Sequence, residues 1–155
     1  MRSFAVLDMT PVIERFQIED LVVQDSTGVL FRALDTQTGL PVALRRLFPY
    51  GVKGGGLDAA KQVEYQTTID RLSTIFHPAL RSVVCGGCDP VDGMPFIATE
   101  WIEGARLQTL LDRGPLRPRE AADLLSKVLQ VSELLSQVLG DLGGQVCQRG
   151  VQRAG

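Results

Sequence analysis

Two cysteines three positions apart, Cys85-Gly-Gly-Cys88, form the pattern most readily tied to chemistry. Thiolates at that spacing hold half of a structural zinc site or cycle as a dithiol pair. A structural zinc needs four ligands, and only Cys147 and His77 remain to complete the set. The run also leads into a hairpin signal, not the strand-to-helix turn of a dithiol oxidoreductase. The simpler reading is one strand cysteine and one near the turn. His77 is the single histidine, and no Ser or Cys nucleophile constellation surrounds it. Before Pro78 it reads as a turn residue bonded to backbone. Arg45-Arg46 offers an anion site, but strand neighbours point to opposite faces. Trp101, the only Trp, reads as packing.

The elements that position these residues follow from patterning. Phe16-Gln-Ile-Glu-Asp-Leu-Val-Val, Val29-Leu-Phe-Arg-Ala-Leu and Pro41-Val-Ala-Leu-Arg-Arg-Leu-Phe read as strands. The turn clusters Gln24-Asp-Ser-Thr-Gly28 and Asp35-Thr-Gln-Thr-Gly39 separate them, which makes an antiparallel meander. Pro49 to Gly56 is a glycine-rich loop, and Asp58 caps the helix after it. Tyr65, Ile69, Leu72 and Phe76 share one face of that helix, which His77-Pro78 ends. Leu80 to Cys85 and Pro95 to Ile102 read as the fourth and fifth strands, joined through the turn Asp89-Pro-Val-Asp-Gly93. A short helix over Leu107 to Leu111 follows. The clearest helix runs from Arg119 to Leu139, with Pro118 in its first turn and Gly140, Gly143 and Gly144 to stop it. The fold class is therefore α+β: a five-stranded antiparallel sheet with one packed helix, then a short and a long helix.

Composition narrows the function. A length of 155 residues allows one ordinary domain with a sizeable core. With 16 Lys and Arg against 18 Asp and Glu, the chain lacks the concentrated positive field of a nucleic-acid binder. No apolar run approaches the roughly 20 residues that span a bilayer, and the first residues make a poor signal peptide. Three cysteines are too few for a secreted disulfide scaffold. A cytoplasmic protein with reduced thiols, bound to neither nucleic acid nor membrane, is the expectation.

The element order and several motifs resemble the N-terminal lobe of a protein kinase of the bacterial Ser/Thr type, followed by the first helices of the C-terminal lobe. Pro41-Val-Ala-Leu-Arg45 is similar to the third-strand V-A-I-K motif. Gly28-Val-Leu-Phe-Arg-Ala-Leu-Asp resembles the end of the Gly-rich loop and the second strand. Phe76-His-Pro-Ala-Leu resembles the His-Pro turn after the large N-lobe helix. Phe96-Ile-Ala-Thr-Glu-Trp-Ile-Glu-Gly104 resembles the fifth strand and hinge, and Leu110-Leu-Asp-Arg-Gly-Pro-Leu116 the segment beyond it. The resemblance covers roughly Glu14 to Leu139. It implies an N-terminal extension over 1–13, a lobe over 14–104, a helical extension over 105–140 and a disordered tail over 141–155.

The resemblance also implies a nucleotide pocket. Leu30 and Ala43 would cover one face of an adenine, backbone groups from Glu100 to Ile102 its edge, and Thr99 its back. Gly28 and Arg45 would stand near phosphates. The departures from the family pattern weigh against that use. Of G-x-G-x-x-G only Gly28 remains, with Val23 and Asp25 at the other glycine positions, so Asp25 brings a negative charge to the phosphate side. Arg45 replaces the third-strand Lys, and Thr68 stands where the helix Glu would pair with it. The 155 residues contain no H-R-D-x-x-x-x-N and no D-F-G, hence no catalytic base and no metal ligands of that family. These features predict weak ATP binding at best, no other cofactor, no metal and no catalysis.

The long helix yields the positive expectation. Leu124, Val128, Val131, Leu135 and Val138 form a stripe, widened by Leu125 and Leu129. In a complete kinase the C-terminal lobe buries it. At about 1.5–3 kcal/mol per residue that is much apolar surface to leave in water. The stripe must fold back, pair with a second copy or dock on a partner protein. The expected function is a non-catalytic, kinase-like (pseudokinase) interaction or regulatory module. The alternatives are a weak ATP-binding pseudokinase sensor, a metal or redox protein using Cys85 and Cys88, and a truncated kinase domain.

Overall fold

A computed structural model describes the backbone of residues 14–151 and the side chains of residues 14–139. The extension expected over residues 1–13 lies outside the described residues, as do residues 152–155. The chain falls into two compact units, one holding residues 14–75 and 81–101, the other residues 76–80 and 102–151.

The first unit is an antiparallel sheet with one helix. Its strands are β1 (Phe16–Asp25), β2 (Gly28–Asp35), β3 (Leu40–Leu47), β4 (Val83–Cys88) and β5 (Pro95–Glu100). They lie in the order β1-β2-β3-β5-β4. Strand β2 shows why: Val29, Phe31, Ala33 and Asp35 are buried while Leu30, Arg32 and Leu34 are half-buried, a period of two. Phe31, Leu44 and Ala98 are fully buried and form the core with Phe16, Val29, Ala33 and Val42.

Helix α1 (Ala59–Leu72) packs on β4 and β5. Asp58 caps it, its carboxylate accepting the Lys61 N–H at 2.9 Å. Ile69 is buried against Gly86, where an added Cβ would meet Ile69 methyl carbons at 3.1 Å and the Phe96 carbonyl oxygen at 2.8 Å. The Tyr65 hydroxyl donates to that same carbonyl at 2.8 Å. The glycines of Cys85-Gly-Gly-Cys88 thus make room for a helix.

The second unit holds the His77-Pro78 turn, α2 (Leu107–Leu111) and α3 (Pro118–Val151). Helix α3 starts as Pro118 at its first position dictates. The Glu120 carboxylate reaches back to accept the Arg117 N–H at 3.1 Å, one half of a capping box. No helix among the described residues is long and apolar enough to cross a membrane.

Several element ends differ from the sequence expectation. The first helix stops at Leu72, not at His77, because the Ser73 and Thr74 hydroxyls donate to the Asp70 and Arg71 carbonyls and take over the last turn. Phe76 is therefore off the helix and 78% exposed, and Ile75 is buried in its place. Strand β4 begins at Val83, since the Leu80 N–H closes the turn on the His77 carbonyl. Strand β5 ends at Glu100, not at Ile102. Helix α3 passes Gly140, Gly143 and Gly144 and reaches Val151, through residues expected to be tail. A helical glycine costs only about 1 kcal/mol relative to alanine, which is too little to end a long helix by itself.

Candidate functional site

The strand register brings Leu30, Ala43, Arg45 and Thr99 to one face of the sheet. Leu30 lies opposite Arg45, and Ala43 lies opposite Thr99 on the next strand. This is the face opposite the core, because core residues Phe31, Leu44 and Ala98 alternate with them. Gly28 opens β2 opposite Leu47, so close to β3 that an added Cβ would sit 2.2 Å from the Arg46 carbonyl oxygen. Glu100 ends β5, and its carboxylate accepts the Ser82 N–H at 3.1 Å. Ile102 belongs to the other unit and is half exposed.

The turn before Gly28 is occupied by its own carboxylate. Strands β1 and β2 run to Asp25 and Gly28, leaving Ser26-Thr27 as a two-residue turn. Asp25 Oδ1 accepts the Thr27 N–H at 2.8 Å, the Thr27 hydroxyl at 2.6 Å and the Gly28 N–H at 3.1 Å. The Thr27 hydroxyl, the two N–H groups and the nearby Arg45 charge hold the Asp25 carboxyl below the usual carboxylate range. Arg45 donates to the Thr27 hydroxyl at 2.8 Å. A loop meant to cradle phosphates keeps its N–H groups open. Here the donors converge on Asp25.

Arg45 has no helix carboxylate partner among the described ion pairs. Thr68, at the position of the family's Glu, turns its hydroxyl onto the Glu64 carbonyl at 3.0 Å. Ala43 keeps only 2% of its surface. Opposite it stands Arg32, whose guanidinium lies 5.5 Å from the centroid of the Trp101 ring and 3.5 Å from Glu19. Sequence reasoning missed this stack, since the strand register alone relates Arg32 to the hinge side.

It also missed a two-pronged ion pair on the buried carboxylate of β2. Arg15 Nε and Nη2 donate to the two oxygens of buried Asp35 at 2.8 and 2.7 Å. The Gln37 N–H and the Thr38 hydroxyl complete the carboxylate at 3.0 Å each. The Arg15 guanidinium, acting against burial, holds this carboxyl far below the usual range.

Cys85 and Cys88 both lie in β4, not at the turn. Three residues along a strand span about 10 Å and point to opposite faces. That separation exceeds the roughly 7 Å limit for a disulfide and prevents the two sulfurs from chelating one ion. This geometry argues against Cys85 and Cys88 acting together as one chelating or disulfide pair. Burial pushes the Cys85 thiol up, partly offset by Arg15, and pushes Cys88 up as well. Neither is an activated thiolate. His77 accepts the Ala79 N–H on Nδ1 at 3.0 Å, the turn role its position suggested.

Apolar residues are exposed on both units, among them Leu40, Val63 and Val91 on the first and Leu125, Val128 and Leu129 on the second. None of the described residues of α3 is buried. Leu124, Val131, Leu135 and Val138 are half-buried, and Val128 is exposed. An open cleft of about 570 Å³ lies between α2 and the start of α3, walled by Leu107, Leu110, Leu116 and Leu124, with Arg113 and Glu120 on its lining.

No protein-family model matches the chain. A probable serine/threonine-protein kinase of Streptomyces coelicolor is 25% identical over 122 residues, covering 77% of this chain and 18% of that protein. Two crystal structures of the Mycobacterium tuberculosis PknI kinase domain superpose with TM-scores of 0.62 and 0.60 at 20% identity. Each covers 74% of this chain, and 44% and 45% of the respective kinase domain. The chain thus spans less than a fifth of the curated relative and less than half of the solved domains. The sheet, its helix and their order are those of a protein kinase-like fold over the N-lobe region.

Proposed function

From this protein kinase-like fold, we propose that the chain is a non-catalytic protein-interaction or regulatory module. The observation that carries the reading is the Asp25 carboxylate, which already takes the Thr27 and Gly28 N–H groups a phosphate would need. Arg45, the one cation on that side of the turn by resemblance, is tied to Thr27. Phosphoryl transfer is largely positioning plus charge neutralisation, and the donors of this turn are already committed to Asp25. The working surface is the apolar face of α3, which engages protein, not nucleic acid or lipid. The setting that suits such a module is the cytoplasm.

One observation favours a second reading, a weak ATP sensor: Leu30, Ala43 and Thr99 do assemble on one face. Thermal denaturation with and without Mg-ATP separates the two. A ligand at 100 times its Kd stabilises the folded state by about 2.7 kcal/mol. The module reading expects no shift in the wild type. It expects Asp25→Gly, which frees the two N–H groups, to gain a shift. A wild-type shift lost in Arg45→Ala establishes the sensor, and phosphate transfer to any protein substrate overturns the module.

A further inference from the structure

Arg46 lies opposite Val29 across β2 and β3, one step along the strand from Arg45, and so belongs to the core face of the sheet. Its side chain keeps only 16% of its surface and donates through Nη2 to the Asp92 carboxylate in the β4–β5 turn. Its Nε is buried and meets no acceptor among the described residues. A buried donor without an acceptor is costly, and such a group calls for a cause.

Arg46 and Asp92 line a cleft of about 340 Å³, within the size range of small-molecule sites, which begins near about 300 Å³. Val29, Phe48, Val52 and Met94 make its walls apolar, and the segment Gly54 to Gly56 forms one side. All of its lining lies between Gln24 and Met94, so the first unit builds it alone. It stands on the sheet face opposite Leu30, Arg45 and Thr99. The glycine segment is held at both ends. An added Cβ at Gly54 would sit 2.3 Å from the Tyr50 carbonyl oxygen, and one at Gly56 2.1 Å from that of Asp92. Gly55 between them has no protein atom within 4 Å of an added Cβ, so its backbone borders open space.

Charge decides the class of ligand. Asp92 neutralises Arg46, so an anion entering the cleft meets the Asp92 carboxylate and a cation meets the Arg46 guanidinium. Asp92 Oδ1 takes the Met94 N–H at 2.9 Å, and the Asp92 side chain is 42% exposed, which leaves it lone pairs to offer. The pair thus presents N–H donors beside carboxylate acceptors, a pattern that a planar amide matches with its own oxygen and N–H groups. We propose that this cleft binds a neutral small molecule that carries a planar amide on a flat apolar ring. The amide oxygen accepts from Arg46 and the amide N–H donates to Asp92, while the ring lies among Phe48, Val52 and Met94. This site is independent of the interaction-module reading and stands or falls without it.

Benzamide is the probe, with benzoate and benzylamine as its charged counterparts. Titration into the isotope-labelled full chain, followed by two-dimensional NMR, reads the backbone N–H groups and the Arg46 Nε–H. Benzamide is expected to shift the signals of Val29, Phe48, Gly55, Met94 and the Arg46 Nε–H, with a Kd of about 1 mM for so small a ligand. It is expected to bind at least about fivefold tighter than either counterpart, since each brings a like charge against one member of the pair. Asp92→Asn frees the Arg46 charge and is expected to turn the preference toward benzoate, a reversal that a merely structural pair does not give. Should Asp92→Asn lose the native spectrum, Arg46→Met with Asp92→Leu carries the test, because apolar substitutes for both partners are often neutral to folding. Benzamide affinity is expected to fall at least about fivefold in that double variant. Overturning results are a wild type unshifted at about ten times the expected Kd, shifts centred elsewhere, or a counterpart binding as well as benzamide. An Asp92→Asn variant whose preference does not move, or a double variant that keeps its affinity, overturns the proposal equally.

Discussion

Arg15→Ala is the substitution whose cost the geometry sets most directly. Asp35 is fully buried at the end of β2 and receives a two-pronged bond from Arg15 at 2.8 and 2.7 Å. Removing one partner of a buried pair leaves an uncompensated charge, typically about 3–5 kcal/mol. Two features place this case at the low end. The Arg15 side chain is 28% exposed, and Asp35 keeps its bonds from the Gln37 N–H and the Thr38 hydroxyl. About 3 kcal/mol at some 2–4 °C per kcal/mol for a chain of this length lowers Tm by roughly 6–12 °C. The pH dependence gives a second handle. Asp35 has its folded-state pKa depressed below the unfolded value of about 3.9, so its contribution is complete above that value. The contribution is lost as pH falls toward the folded pKa. The gap between wild type and Arg15→Ala should be full at neutral pH and shrink in acid. Replacing both partners, Arg15→Met with Asp35→Leu, should recover much of the loss, since apolar substitutes for a buried pair are often neutral. Thermal melts followed by circular dichroism at neutral and acid pH read all three. A loss under about 1 kcal/mol, or a gap that does not change with pH, would refute the argument.

Two further predictions follow from the α1–β4 contact and from the thiols. Gly86→Ala pushes a methyl against the Phe96 carbonyl oxygen and the Ile69 methyls, an overpacking that costs about 1–3 kcal/mol. Trimming the other side with Ile69→Val should return part of that stability in chemical denaturation, and a double mutant no better than Gly86→Ala alone would show that the backbone contact decides. Cys85 and Cys88 should not form a disulfide with each other under mild oxidant, and both should alkylate slowly at neutral pH, because burial raises both thiols. Peptide mapping by mass spectrometry reads both, and a Cys85–Cys88 crosslink would contradict the strand geometry.

The meander was legible because β2 and β3 alternate cleanly and their turns carry Asp, Thr and Gly. Asp58 as a cap and Pro118 at a helix start were legible for the same reason: each acts through its immediate neighbours. What stayed hidden depends on partners far along the chain. Arg15 and Asp35 stand 20 residues apart and meet only because β1 pairs with β2 in the register that sets Phe16 against Asp35. Arg32 reaches Trp101 across strands in the same way. The first helix looked longer because Phe76 fits the apolar period, yet Ser73 and Thr74 end it through their own hydroxyls. Leu30, Ala43, Arg45 and Thr99 were legible as residues of one sheet face; Glu100, paired with Val42, alternates to the other face, and Ile102 lies in the other unit. The Asp25 turn was legible as a repulsive charge but not as a closed ring of donors, which requires the tight Ser26-Thr27 turn.

The two faces of the sheet explain how a kinase-like fold can hold while its phosphate side changes. Strand alternation sends Phe31, Leu44 and Ala98 to one side and Leu30, Arg45 and Thr99 to the other. The buried side carries the apolar packing that drives folding, so substitutions on the opposite side leave it intact. Asp25 in place of a glycine does more than remain neutral to the fold. It satisfies the N–H groups that a phosphate loop leaves open, which favours the tight β1–β2 turn. Both donors of the turn and the Arg45 guanidinium thus have partners within the lobe. On the proposed module reading, the residues that take up the turn's donors also leave the packed side of the sheet unchanged as a scaffold.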